Sequence, residues 1–104
     1  MPKFLYVYHG GSMPETEEEG RKVMQDWRDW MGSLGDAIID GGNPVGQSKT
    51  VMPGGGIAEN GGVNPTSGYS LIDAADMDDA LAKTKGCPIL SAGGSIEVAE
   101  AIDM

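Results

Sequence analysis

From Lys3 to His9 the chain alternates Phe4, Tyr6 and Tyr8 on one side with Leu5, Val7 and His9 on the other. Apolar residues on both faces predict a strand inside a sheet. The run ends at Gly10 and Gly11. Thr16 and Glu19 then have capping-box spacing, and Glu15, Glu17 and Glu18 suit the positive end of a helix dipole. A helix is predicted from here, with Val23, Trp27, Trp30, Met31 and Leu34 as one apolar stripe and Gly32 or Gly35 at its end. Ala37, Ile38 and Ile39 predict a short strand that stops at the turn residues 40–44. Residues 41–67 are poor in apolar side chains except at 50–52, which suggest a short extra strand in a long glycine-rich segment, either a functional excursion or a partly disordered loop. Residues 69–74 predict a strand, and Asp76 caps a second helix with Met77, Ala80, Leu81 and Thr84 at helical spacing. Gly86 is expected to end it and Pro88 to prevent its continuation. A last strand is expected over 95–102, with Ile96, Val98 and Ile102 on one face and Glu97, Ala99 and Ala101 on the other.

The order β-α-β-β-α-β predicts a ferredoxin-like α+β sandwich, a four-stranded antiparallel sheet of order 4-1-3-2 with both helices on one face. A single domain spanning residues 1–104 is expected from the length, large enough to bury somewhat under ~70% of its surface. An uncovered sheet face with residues such as Leu5 and Val7 predicts a homodimer. Seven Lys and Arg against 16 Asp and Glu give a net charge of -9, which disfavours nucleic acid and anionic membrane surfaces as partners. No apolar run approaches membrane-spanning length, and the start lacks a signal-peptide core. One cysteine, Cys87, allows neither an internal disulfide nor a thiolate zinc site, which predicts a reducing, cytoplasmic setting.

With these elements the chain resembles the YCII-related family. The likeness is carried by the opening strand, Gly41 to Pro44, Lys49 to Val51, Gly68 and Tyr69, Asp76 to Leu81, Gly86 to Pro88 and Gly94 to Val98. It implies ferredoxin-like units that pair through their sheets into a dimeric α/β barrel. Two departures limit what it implies for a site. Where relatives show Asp-Gly-Pro-Phe-Ala-Glu, this chain has Gly54 to Glu59, matching at Gly55, Ala58 and Glu59. Some relatives carry a histidine in the first helix, where this chain has Trp27 and Trp30, so no His/Asp assignment carries over.

His9, the only histidine, lies where a buried strand meets solvent and is the candidate acid-base group. The topology gathers His9, Gly10, Gly11, the first helix's start, the excursion, Tyr69 and Ser95 at one end of the sheet. Gly10, Gly11, Tyr69 and Ser95 are the expected ligand contacts, with Trp27 as a stacking surface or core residue, and the glycine N–H groups favour an anionic small molecule. Asp40, two strands away, and Asp73, toward the far end, are out of reach of His9. No spacing suggests a metal site, and no cofactor is implied. The favoured function is a homodimeric small-molecule-binding module with its cleft at the His9 end. An acid-base enzyme of isomerase or lyase type, and a structural dimer without a site, are the alternatives.

Overall fold

The computed structural model describes residues 2–104. Its elements run β1 (Lys3–His9), α1 (Glu17–Leu34), a 3-10 turn (Gly35–Ala37), β2 (Ile38–Asp40), β3 (Thr50–Val51), β4 (Ile57–Ala58), β5 (Thr66–Asp73), α2 (Met77–Ala82), α3 (Pro88–Ser91) and β6 (Ser95–Ala101). Four strands form one antiparallel sheet in the order β2-β5-β1-β6, so the protein is α+β with its most apolar strand in the interior.

The period-2 pattern of β1 sorts its side chains. Phe4, Tyr6 and Tyr8 are buried with Ile72, Ala74, Trp30, Ala80 and Cys87, which puts the core between the sheet and the helices. Leu5 and Val7 face the other way and are half-buried; Leu5 lies opposite Leu71 and Ala99, and Val7 opposite Tyr69 and Glu97. Two buried hydroxyls tie the layers together. Tyr6 Oη donates to Ala80 O of α2. Tyr8 Oη donates to Ser70 Oγ at 2.7 Å, and Ser70 Oγ donates to Gly41 O at 2.8 Å, linking β1 and β5 to the end of β2.

Helix α1 begins where its cap pattern requires. Thr16 Oγ1 accepts from Glu19 N at 3.1 Å, and three glutamates fill the first turn. The reciprocal bond differs from a standard capping box, since Glu19 Oε2 accepts from Glu15 N at 3.0 Å. Gly35 is the C-cap, its N–H bonded to Met31 O, while Gly32 lies inside the helix. Trp30 is buried and Trp27, Met31 and Leu34 pack around it, whereas Val23 is 38% exposed.

Several elements depart from the sequence reading. Ala37 belongs to the 3-10 turn, so β2 starts at Ile38. Helix α2 is capped by Asp76 as expected, Asp76 Oδ1 accepting from Asp79 N at 2.8 Å, but it ends at Ala82 and the chain turns through Thr84 to Cys87. Pro88 does not merely stop a helix: it opens α3, because proline at a first helical position has no N–H to satisfy and its φ is preset. Strand β5 begins three residues early, at Thr66, and β6 ends at Ala101.

The excursion at 41–67 is built rather than structureless. At Gly42, φ is +73° and a Cβ would lie 1.8 Å from Tyr69 O, so the chain can cross β5 there only as glycine. Pairing with β5 then resumes through Tyr69 N to Asn43 O (3.3 Å), a Pro44 to Gly68 bridge and Val45 N to Ser67 O (3.1 Å). Beyond it, β3 and β4 form a separate hairpin closed by Met52 N to Gly56 O at 2.7 Å.

Candidate functional site

The antiparallel register places His9 opposite Ser95, with Val7 opposite Glu97. His9 and Glu97 are thus diagonal neighbours on the open face of the sheet. His9 Nε2 lies 3.0 Å from Glu97 Oε1, and Nδ1 lies 3.2 Å from Pro65 O in the returning arm of the excursion. Both partners are acceptors, so both ring nitrogens are satisfied together only when the imidazole is protonated. The Glu97 hydrogen bond is the main cause that raises the His9 pKa above its ordinary value; local shielding from water acts against it and the Pro65 carbonyl adds to it. The His9 side chain is 9% exposed and that of Glu97 64%. The pair fastens the excursion's end to β6, and it leaves no ring nitrogen free for a ligand while Glu97 holds its place.

The other expected contacts divide between the two faces of the sheet. Ser95 is exposed beside His9, and Tyr69 is half-buried with its hydroxyl accepting from Asn43 Nδ2 at 3.2 Å. Gly10 and Gly11 turn the chain from β1 toward α1, and there backbones meet one another. A Cβ on Gly11 would come within 2.6 Å of Ile89 Cδ1, and Ser12 N donates to Ala92 O at 2.9 Å. Trp27 lies across the sheet from His9, its ring edge-on to Tyr8 with centroids 5.1 Å apart and to Trp30 at 5.7 Å. It therefore does not share a site with His9.

Trp27 instead lines an open cleft of about 740 Å³ along α1, which Ser12 to Pro14 and residues between Lys85 and Ala92 also line. Trp30, Val23 and Ile89 are among its apolar lining, and Glu19, Lys22, Asp26, Asp29 and Lys85 among its charged lining. The acids are engaged within or just before α1. Asp26 lies 3.7 Å from Lys22 Nζ, Asp29 accepts from Gln25 Nε2 at 2.8 Å, and Glu19 holds the Glu15 amide. Lys85 has no ion pair among the described residues. Trp30 Nε1 is a buried donor without a hydrogen-bond partner there, next to the Gly86 wall of the cleft.

Cys87 is 1% exposed, and burial pushes its thiol up to about 11, so it is neither a nucleophile nor a metal ligand as it stands. Asp40 Oδ1 accepts from Gly42 N at 2.8 Å and shapes the turn, and Asp73 sits opposite Lys3 at the far end of β1. Among the described residues no group of three His, Cys, Asp or Glu side chains could hold a metal ion, and no helix is long and apolar enough to cross a membrane.

Sequence reasoning missed Glu97 and the cleft. The alternation in β6 puts Glu97 on the face it occupies, and its contact with His9 follows from the register between the two strands. The cleft depends on α3, which the proline concealed. No protein-family pattern matches this chain, and no curated protein is detectably similar to it.

Proposed function

We propose that the chain is a homodimeric small-molecule-binding module, and that its ligand is a small organic acid with an apolar body, held in the cleft along α1. The observation that carries this reading is the cleft itself: about 740 Å³, with two tryptophans and a lysine without an ion pair in its lining. That volume is in the range of small-ligand sites, which are mostly apolar with a few polar groups that fix orientation. The Trp27 ring offers a flat apolar contact, and Lys85 is the cation left to meet a carboxylate. The acid-base reading is weaker, because both nitrogens of His9 are held by acceptors.

Pairing through the open sheet face is supported by the half-buried Leu5, Val7, Leu71 and Ala99. The strand order β2-β5-β1-β6 supports a ferredoxin-like unit, and with it the YCII-related likeness and barrel-type pairing. A buried thiol that needs no oxidised partner fits a cytoplasmic setting.

A thermal-shift screen against aromatic and aliphatic carboxylates tests the ligand reading. At least one acid is expected to raise Tm by several degrees, binding about tenfold more weakly to Lys85→Gln and unchanged to His9→Ala. Absence of any stabilising carboxylate, or equal binding by Lys85→Gln, overturns it.

A further inference from the structure

The hairpin of β3 and β4 exposes what a folded chain normally hides. Val51 is 71% exposed, Ile57 60% and Met52, in the connecting turn, 50%. Its side-chain fastening is at the base, where Lys49 Nζ lies 2.8 Å from Glu59 Oε2 and Thr50 Oγ1 donates to Asn60 O at 2.7 Å. The apolar tip has no counterpart in the core, whose members all come from β1, β5, the helices and the residues beside them.

The molecule's dimensions agree. Its Cα radius of gyration is 15.0 Å, against about 13 Å for a compact chain of this length. Its accessible surface is 7064 Å², roughly 1,500 Å² more than a folded monomer of its mass exposes. A standard interface removes about 800 Å² from each partner, so the surplus is more than a stable dimer needs. The extents of 43 × 42 × 18 Å are those of a flat molecule. The hairpin's own apolar side chains remain exposed, so part of the surplus belongs to it.

We infer that the hairpin Thr50–Ala58 is a dimerisation arm that docks on the open sheet face of a second copy of this chain. The inference rests on the homodimer proposed above and says which segment makes it. The target is the apolar field of Leu5, Val7, Leu71 and Ala99, bordered by Tyr69 and the His9–Glu97 pair. Charge permits the same occupant. The chain carries -9 overall, yet residues 41–67 contain only Lys49 and Glu59, so the arm can approach an equally acidic copy without like-charge repulsion. The C2 arrangement uses each arm once and each face once, which closes the assembly at two.

Sedimentation equilibrium on the full chain and on the double variant Val51→Ser, Ile57→Ser tests this. Wild type is expected at twice 10.8 kDa, with the variant's dissociation constant raised at least about 100-fold, since four apolar side chains are lost per dimer. A variant that dimerises like wild type overturns the arm and leaves the dimer standing; a monomeric wild type overturns both. Should the variant not fold, wild-type hydrogen exchange decides: slower exchange of the 50–58 amides in the dimer than after dilution to monomer supports the arm, and equal exchange overturns it.

Discussion

Both nitrogens of His9 face oxygen acceptors, which makes protonation part of the fold. A group whose pKa is raised on folding stabilises the native state below its unfolded value, and that contribution fades as pH rises through the folded value. For His9 the loss begins above the ordinary 6.5 and is complete past the raised folded value. As the chain has one histidine, its imidazole resonance can be followed without ambiguity by NMR. Wild type is expected to titrate above 6.5, and Glu97→Gln closer to it, with the variant's stability less dependent on pH between 6 and 8. Identical titrations would show that Glu97 does not hold the ring. The position and isolation of His9 were legible from an apolar run ending in glycines. Its carboxylate was not, because a diagonal contact between β1 and β6 depends on the register of strands far apart in sequence. Trp27 shows the converse: it belongs to the same end of the molecule as His9 yet lies behind the sheet, since its helical stripe must face Tyr8.

At the scale of elements, local signals proved reliable where local chemistry decides. Thr16 and Asp76 cap helices because their oxygens reach amides three residues on, and β1 is a central strand because both its faces are apolar. Elements held by distant partners were hidden. Thr66 to Gly68 lengthen β5 only because residues 43–45 return beside them, and β4 exists only against β3. The edge strand β2 is likewise short and bulged, and a buried hydroxyl secures its end. Ser70 is fully buried between Tyr8 Oη and Gly41 O, so Ser70→Ala leaves a donor and an acceptor unmatched and is expected to cost about 2 to 3 kcal/mol. Tyr8→Phe removes the Tyr8 donor alone, so only in the double variant do both members of that bond leave together. In urea denaturation the double variant should therefore lose less stability than the two single variants together, and strict additivity would break the proposed relay.

For the whole molecule, acidity and association oppose one another. Two copies at -9 repel at low ionic strength, and salt screens that repulsion over a Debye length of about 10 Å at 0.1 M and 3 Å at 1 M. A dimer joined by neutral arms and apolar faces is expected to tighten about tenfold between 20 and 500 mM NaCl, as read by sedimentation. Weakening over that range would mean that cross-subunit ion pairs hold it instead.

The lone thiol gives this fold an internal clock. Cys87 sits among Phe4, Tyr6, Ile72 and Ala80 where no reagent can touch it, and burial keeps it protonated besides. Alkylation must wait until the sheet and helices part, so with reagent concentrated enough to outpace reclosing, the rate at which the chain consumes it counts the openings of its core, one irreversible event per molecule.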